Sequence, residues 1–553
     1  MRVAPIGRSY PSDGGWAKPP VVKTSTFETS DRVPAPIISS PYRAGGFDRQ
    51  DTAEWSASFG SADSDLLQSR DVMVARVRDV VRNDPTARAA VERLSDMVVG
   101  EALRLSAKPD AVALGITPEA ARDLSRQMQA EFRAWSCTHD PHRWCDAQQR
   151  LSFDGMARVA MKSYVVTGEA CAAMDWRKSS NRYSTCVLQV DPDRVCNPHN
   201  KLDSQFLRGG VDLGQMGQPL GYHVREAHPG DWFSNGLAWN WKYVPRFTDW
   251  GRPVFVHAFE PDREGQTKAV PPFAALVSRL RMIGKFADNE LASAAANALF
   301  AAFVTSDLPP EEVRDKLTVE GEISDNRGYA ASVMKYYERH PARVGGVRIP
   351  TMLPGSEIKM NSAPRQTTAF PAFQTAFLHS IASSLNLSYE QLTMDWSRVN
   401  YSSARAALNE VWRSTRRMRR VLVEQYVCPI YYCVMEEAFQ AGYLKAPKGA
   451  PNFDENPNAY LGGRWIGPGR GVVDSLKEAE AASMRMENMT STLEIECAEL
   501  GHDYLEIMDQ ISIEEAELQI RGLSRKSLIA SVNASRGPKP DSAEVQEAIE
   551  QAA

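Results

Sequence analysis

The residues from Asn400 to Leu444 place the tightest constraint on how this chain can fold. A serine-rich turn leads there into one long helical pattern, whose interior lacks any recognisable catalytic motif. Pro429 lies inside the pattern and has no backbone N–H, so a kink is expected near it. The apolar face recurs at steps of three and four residues, through Ala404, Leu408, Val411, Thr415, Met418 and Leu422. The segment predicts a long, interrupted helix that packs against a larger body.

Composition limits the classes of protein to which the chain can belong. Its 553 residues are enough for two to four domains with a sizeable core. A net charge of −5 argues against a dedicated DNA-binding module, so contact with nucleic acid would have to be local or weak. Eight cysteines without a CxxC pair favour free thiols in a reducing cytoplasm. No signal core or 18-residue apolar run occurs, so no membrane partner is expected.

The first half of the chain changes from irregular to helical and then to strand-like. Residues 1–60 are rich in Pro, Gly, Ser and Asp and are interpreted as a partly disordered arm. Ser61 can cap a helix, and Asp84-Pro85 predicts a break before a second one. Another helix is expected over residues 117–135. Short β-like runs separated by turn residues then fill residues 165–258, which predicts an α+β domain.

Residues 271–304 predict a helical rod. At a rise of 1.5 Å per residue, about 30 residues span roughly 45–50 Å. Its second half is rich in alanine, which allows close approach of a neighbouring helix in a bundle or a ring of repeated helices. The residues expected to pack along its face are Leu276, Leu280, Ile283, Ala287, Leu291, Ala294 and Ala298.

The second half of the chain predicts further helices. Residues 365–386 have a helical pattern, and residues 445–472 read as a loop without periodicity. Asp474 can cap a helix that runs to Leu500. Ser512 begins a capping-box pattern for one more short helix, and the tail from Gly522 is polar and expected to be disordered.

One cluster resembles a metal site, and one loop resembles a phosphate loop. Cys137, His139, His142 and Cys145 place four potential ligands within nine residues, with a spacing unusual for zinc. A turn that ends a helix, with buried cysteines, is the favoured interpretation, and a zinc-dependent hydrolase is the alternative. The string GPGRG at residues 467–471 predicts a plain turn, because no strand precedes it in a βα unit.

The long helix also carries a run of arginines without an acidic interruption. One interpretation is a solvated face or ion pairs between subunits, and the other is contact with nucleic-acid phosphate. The arginines spread over more than one helical face, which favours partners on several sides. The run consists of Arg413, Arg416, Arg417, Arg419 and Arg420, and Arg405, which lies earlier in the same helix, is expected to share its role.

Several strings, in order over roughly residues 55–520, resemble the lambda-like family of phage portal proteins. They include SADSDLLQSRDVMVARVRDVVRNDPTARAAVERLSDMVVG from Ser61, GEACAAM from Gly168, VHAFEPDREGQTKAVPPFAALVSRLR from Val256 and NYSSARAALNEVWR from Asn400. Phe132 and Trp135 followed by Cys145-Asp146, LQVDPDRV, and the C-terminal VVDSLKEAEAASMRMENMTSTLEIECAELGHDYLEIMDQ complete the set. The sequence departs from the family at Thr267-Lys268, where Arg-Gly is usual.

The resemblance implies a mainly α-helical α+β portal fold with wing, stem, clip and crown, assembled as a dodecameric ring around a DNA channel. It implies these parts: an N-terminal arm (1–60), the wing (61–270), a first stem helix (271–304), the clip (305–364), a second stem helix (365–386), a tunnel loop (387–401), a long kinked wing helix with the following loop (402–472), crown helices (473–521) and a disordered tail (522–553).

The same resemblance implies a structural role without catalysis or cofactors. Expected partners are eleven further copies of the chain, the large terminase subunit, head–tail connector or adaptor proteins, the major capsid protein and double-stranded DNA, bound without sequence preference. The expected location is a capsid vertex of the virion, after assembly in the host cytoplasm. The tunnel loop is expected to face DNA through Asp395, Trp396, Arg398 and Asn400. A non-portal oligomeric scaffold or adaptor of the virion is the remaining alternative.

Overall fold

The structure is a computed structural model, in which the described residues from 61 onward belong to one compact unit. The expected arm, clip and tail lie almost entirely outside the described residues. Within the described ranges, no helix combines the length and the apolar character that a membrane crossing requires. The described residues are 59–178, 182–234, 236–300, 343–344, 347–348, 369–397, 400–472 and 474–525.

Helices make up most of the described chain. In chain order they are α1 (Ala62–Asn83), α2 (Pro85–Val98), α3 (Ala111–Leu114), α4 (Pro118–Trp135), α5 (Phe153–Thr167), α6 (Val277–Phe300), α7 (Ala369–Ser384), α8 (Tyr389–Thr393), α9 (Tyr401–Leu422), α10 (Cys428–Gln440), α11 (Pro457–Tyr460), α12 (Ser475–Glu487), α13 (Leu493–Glu499) and α14 (Tyr504–Ile520).

The strands form small antiparallel sheets. A three-stranded sheet has the order β3-β2-β8, a four-stranded sheet has the order β4-β5-β6-β7, and β1 pairs with β11. The strands are β1 (Arg104–Ala107), β2 (Ala170–Trp176), β3 (Thr185–Val190), β4 (Leu207–Arg208), β5 (Val211–Leu213), β6 (Pro219–Arg225), β7 (Trp241–Pro245), β8 (Phe255–Ala258), β9 (Arg343–Val344), β10 (Val347–Arg348) and β11 (Gly463–Ile466).

Local capping signals define the first helices as the sequence predicts. The hydroxyl of Ser61 accepts a hydrogen bond from the Ser64 amide at 3.2 Å. Asp84 ends α1 and accepts from the Ala87 amide at 2.8 Å, while Pro85 opens α2. These side chains satisfy amides that the first turn leaves without a helical partner. The predicted break between the two helices is confirmed.

An aromatic cluster lies where helices and strands from distant parts of the chain meet. The ring of Phe132 lies 5.1–5.6 Å, centroid to centroid, from the rings of Trp135, Phe153, Tyr431 and Trp465. Trp135 is buried and donates from its indole nitrogen to the Thr185 carbonyl at 2.8 Å. The cluster therefore joins α4, α5, α10, β3 and β11 in one core.

The long helix is anchored to the three-stranded sheet through its second half. Glu437 of α10 is buried, and its carboxylate accepts from the amides of Ser184 and Thr185 at 2.7 and 2.8 Å. The expected disturbance at Pro429 occurs one turn earlier, as a π-helical segment at Val423–Val427. Because Pro429 cannot donate to the carbonyl four residues before it, wider turns there accommodate the missing bond.

Two elements of the core differ from the sequence expectation. Residues 153–167 form a helix, α5, although part of this stretch had the appearance of a strand. Gly168 ends α5 with φ 84°. Residues 463–466 form β11 inside the expected loop, paired with β1.

The C-terminal helices also differ. Asp474 caps α12 as predicted, accepting from the amides of Leu476 and Lys477. The expected helix to Leu500 is interrupted, however, because Met489 has φ 56° and α13 begins only after Thr492. The capping box at Ser512 is wrong: that residue lies inside α14, which Asp503 caps.

Candidate functional site

The two expected stem helices contact each other at their base. Leu276, just before α6, and Leu280, in its first turn, are each 1% exposed, and Ile381 of α7 is completely buried. The rings of Phe286 and Phe373 lie 5.0 Å apart across the pair. The base of the rod is therefore part of the main core.

Beyond the base of the rod, the expected packing face of α6 is no longer covered by other described residues of the chain. Ile283 is half-buried, Ala287 is exposed, and Leu291 is 73% exposed. Ala294 and Ala298 lie within α6, but their side chains are outside the described part of the structure. Within the described chain, only the base of this face is covered, and the apolar face continues beyond it.

A buried cluster of charges fixes the backbone just before α6. The carboxylate of Glu169, which follows α5, is completely buried and accepts from the Ala269 amide at 2.7 Å. Its second oxygen lies 3.1 Å from Arg70, 3.3 Å from Lys268 and 3.2 Å from His257. The cluster links α1, α5 and β8 to the chain that enters the stem.

The electrostatics of the cluster keep Glu169 ionised. Burial by itself would raise the pKa of this carboxyl, but the charges of Arg70 and Lys268 outweigh it and hold the pKa well below its usual range. Burial lowers the pKa of His257, against the attraction of Glu169, so the imidazole is favoured in its neutral form. Two buried cations thus depend on one buried carboxylate.

The polar loop after α7 is anchored at one end and exposed at the other. Leu387 and Leu392 are buried, and α8 begins with a capping box formed by Ser388 and Gln391. Beyond α8, Asp395 accepts from the Ser397 amide at 3.1 Å. The expected loop is therefore part helix, and its exposed portion begins after α8.

Three of the four residues expected to face DNA lie in the described part of this exposed portion. Asp395 is exposed, and Trp396 is 41% exposed. Arg398 lies outside the described residues. Asn400 is exposed and accepts from the Ser403 amide at 2.9 Å, which makes it the cap of α9. Asn400 thus has a structural role that the sequence interpretation did not assign to it.

The arginines of α9 separate into two groups. Arg413, Arg416, Arg417 and Arg420 recur at the spacing of one helical face, and their side chains are 59–78% exposed. Each has one carboxylate within 3.4 Å in the same chain: Glu410, Glu499, Glu260 and Glu424, in that order. Exposed pairs of this kind contribute little to stability. Arg405, nearer the start of α9, lies 2.9 Å from Glu478 of α12.

Arg419 lies beside Arg416 but turns inward, toward α2 and the 467–471 turn, and is a structural residue. Its guanidinium donates to the carbonyls of Met97, Val98 and Pro468 at 2.9–3.1 Å. Burial lowers the pKa of Arg419 to about 10, and the charge of Arg416 adds to the shift. A Cβ on Gly467 would lie 2.6 Å from the Arg419 side chain. The Arg419 side chain therefore packs directly against Gly467 of the GPGRG turn, where a residue with a Cβ would clash with it.

Replacing Arg419 tests that assignment. Arg419→Ala is expected to destabilise the folded protein by about 2 kcal/mol, because three carbonyls lose a charged donor. The check is the midpoint of urea unfolding, followed by circular dichroism. Arg413→Ala is the matched control, since that side chain is 77% exposed. Equal, small effects of the two substitutions would contradict a structural role for Arg419.

The cysteine and histidine cluster does not assemble into a metal site. The Cys145 amide donates to the sulfur of Cys137 at 3.3 Å, and the Cys145 thiol donates to the Ser136 carbonyl. His139 and His142 are exposed. In the described part of the chain, triads of potential ligands within 4.8 Å of one another do not include these residues. The turn interpretation therefore fits the geometry better than the zinc site does.

Two other triads have ligand-like spacing, but cations already occupy their surroundings. Glu169, Cys171 and His257 lie in the cluster that holds Arg70 and Lys268. Asp191, Asp193 and His228 surround the guanidinium of Arg78, which contacts both aspartates. A metal ion at either place would have to displace or repel an arginine, so neither triad supports metal chemistry.

The charged cluster at the stem entry is the main feature that sequence reasoning missed. Two signals were present: Glu169 interrupts an apolar run, and Lys268 stands where the resembled family usually has Gly. The structure places both side chains in one buried contact. The departure at residue 268 is thus part of the packing at the base of the stem.

Comparisons with known proteins agree with the resemblance seen in the sequence. The family model described as "Phage portal protein, lambda family" matches residues 48–419. The portal protein of Escherichia phage N15 is 34% identical over 485 residues, covering 87% of this chain and 90% of that protein. Portal protein B of Escherichia phage lambda is 32% identical over 474 residues, covering 85% and 88%.

A more distant likeness was found among solved structures. A chain from the virion of a native gene transfer agent particle is 13% identical, with a TM-score of 0.37, covering 79% of this chain and 95% of that chain. The family assignment rests on the sequence matches, which extend over most of the chain. This protein belongs to the lambda family of phage portal proteins.

Proposed function

We propose that this protein is the subunit of a ring at one vertex of a phage capsid, and that double-stranded DNA passes through the centre of that ring during packaging and ejection. The ring is a dodecamer. It docks the large terminase subunit during packaging and head–tail connector proteins afterwards, and it contacts the major capsid protein. Assembly takes place in the host cytoplasm. The match to two phage portal proteins over most of the chain is the observation that carries this proposal.

The proposed parts of the ring follow the sequence expectation. Residues 61–270 form the wing, 271–304 and 365–386 the stem, 305–364 the clip and 387–401 the tunnel loop. Residues 402–472 complete the wing and 473–521 form the crown. The uncovered apolar face of α6, with Leu291 73% exposed, supports a rod that packs beside rods of neighbouring subunits. The family membership favours this structural role over a hydrolase.

Electrostatics supports passage rather than retention of DNA. Phosphate contacts dominate the affinity of proteins for nucleic acid, so an evenly basic channel would hold DNA and slow its movement. The chain has a net charge of −5, and four of its clustered arginines have a carboxylate nearby in the same chain. Contact with DNA is thereby restricted to small areas, of which the exposed loop around Trp396 is the proposed one.

Assembly of the purified full-length chain tests the proposal. Mass photometry is expected to give a closed oligomer near twelve times the 61.3 kDa subunit mass, and negative-stain images should show a ring with a central hole. A truncated chain that ends at residue 472 tests whether the proposed crown is needed. A full-length protein that stays monomeric under all assembly conditions, or forms open filaments, would contradict the proposed function.

A further inference from the structure

One helix of this protein extends away from the subunit to which it belongs. The 17 residues of α14 include no buried residue, and residues 512–517 are exposed without exception. Its first turns are held to the body, since Glu506 lies 3.3 Å from Arg133 and Asp509 lies 3.0 Å from Arg126. A helix of this length is marginally stable alone in water and normally needs a packed face.

The exposed half of α14 has the composition of a docking segment. Ile513 is 63% exposed and Ile520 is 80% exposed, so large apolar side chains face solvent. Glu514, Glu515 and Glu517 lie between them. The wider region from residue 474 to residue 525 contains thirteen acidic and four basic residues. The segment is therefore acidic and carries exposed isoleucines, and its own subunit leaves residues 512–517 uncovered.

A groove elsewhere on the same chain has the complementary chemistry. It lies between α9, β11 and α13 and has a volume of about 850 Å³. Its floor includes Trp412, Trp465 and Ile466. Its rim includes Arg416, Arg417, Arg420 and Arg464, against only two carboxylates, Glu424 and Glu499. The rim guanidiniums are 46–78% exposed, so they can exchange their present partners for others.

The apolar floor distinguishes a protein ligand from nucleic acid. A DNA backbone would use the arginines but would leave the partly exposed rings of Trp412 and Trp465 uncovered. A helix with isoleucines and carboxylates on neighbouring positions would satisfy both the floor and the rim. Burial of the apolar contacts also strengthens the charge pairs by excluding water.

We propose that α14 of one copy docks into the groove between α9, β11 and α13 of the next copy. The contact is heterologous: each subunit offers its helix on one side and its groove on the other, which is the arrangement that closes into a ring. This inference rests on the ring assembly proposed above and assigns part of its interface. In the crown, each subunit then places its α14 on the next subunit. The exposed arginines of the groove hold the two subunits together.

Charge reversal of each side alone is the first part of the test. A groove variant, R416E/R417E/R420E, is expected to lower ring yield at equal protein concentration by roughly tenfold or more. A helix variant, E514K/E515K/E517K, is expected to do the same. The matched control for the groove variant is R76E/R88E/R122E, three exposed arginines elsewhere; it makes the same change of net charge as the groove variant and should have little effect on yield.

Mixing the two variants is the decisive part. A reversed groove fits only a reversed helix, so an equal mixture is expected to assemble into rings in which the two variants alternate. Native mass spectrometry would identify the alternation, and recovery in the mixture also shows that both variants fold. A mixture that does not recover, or single variants that assemble as well as the unmodified protein, would overturn the inference.

Ring yield and DNA affinity together distinguish docking of α14 from DNA binding by the groove. If the groove variant forms normal rings but binds DNA more weakly, the arginine rim contacts nucleic acid and the docking proposal is wrong. If the unmodified protein forms no ring, the proposed function itself fails, and the docking proposal fails with it. Normal rings from every variant would leave the proposed function standing and would refute only the docking of α14.

Discussion

Glu169→Gln is expected to destabilise the folded protein by about 3–5 kcal/mol, because it leaves two buried cations without their anion. The side chains of Arg70 and Lys268 are 4% and 2% exposed, so water cannot replace the carboxylate. The Ala269 amide would also lose its charged acceptor. The measurement is the urea midpoint, together with hydrogen exchange of residues 267–269, which should lose protection first.

Two further variants isolate the cause. Asp71 also lies near Arg70, at 3.8 Å, but is 95% exposed, so Asp71→Asn should cause a much smaller loss of stability. Lys268→Met in addition to Glu169→Gln should recover part of the loss, because it removes one stranded charge. A Glu169→Gln variant as stable as the unmodified protein would show that the cluster does not hold the base of the stem.

The pH dependence of the same variant has a definite sign. The pKa of Glu169 lies well below its usual range in the folded protein, because the nearby cations outweigh the effect of burial. Its contribution to stability is therefore complete above the unfolded pKa of about 4.3 and is lost progressively below it. The difference in stability between the unmodified protein and Glu169→Gln should be constant near neutral pH and should shrink in acid.

The elements that the sequence predicted correctly are those with local causes. The break between α1 and α2 depends on Asp84 and Pro85, which act within one turn. Asp474 caps α12 for the same reason. The elements that escaped prediction depend on distant partners. β11 is only four residues long and exists because it pairs with β1 more than 350 residues earlier. No local pattern in residues 445–472 could indicate that pairing.

The candidate site shows the same division. The arginine run of α9 is visible in the sequence, and helical geometry alone places Arg419 beside Arg416, one turn along the helix. That Arg419 meets three carbonyls from α2 and the 467–471 turn depends on the folded arrangement. Leu392 was predicted to lie in a loop, but it is buried, because Ser388 and Gln391 start a short helix that turns it inward. The capping box of Ser388 and Gln391 could be predicted from the sequence, whereas the burial of Leu392 could not.

The second large effect that we expect is a loss of packaged DNA when the exposed loop is replaced. Exchanging residues 395–398 for Gly-Ser-Gly-Ser should leave rings intact but lower the DNA packaged per particle by roughly an order of magnitude, because loops on rigid elements carry contacts with ligands. Leu392 must be kept, since it is buried, and Asn400 must be kept, since it caps α9. Packaged DNA is measured as nuclease-resistant DNA in purified particles, with ring assembly measured in parallel.

The design separates a channel-facing loop from a structural one. Asn400→Ala removes the cap and should cost about 1 kcal/mol of stability, with packaging reduced only as far as ring yield is reduced. The loop exchange should do the opposite, with unchanged stability and a loss of packaged DNA. If the exchange lowers ring yield and packaging in proportion, the loop supports assembly. If it changes neither, DNA contact must be sought elsewhere in the chain, because Trp396 and its neighbours would then have no role in moving the genome.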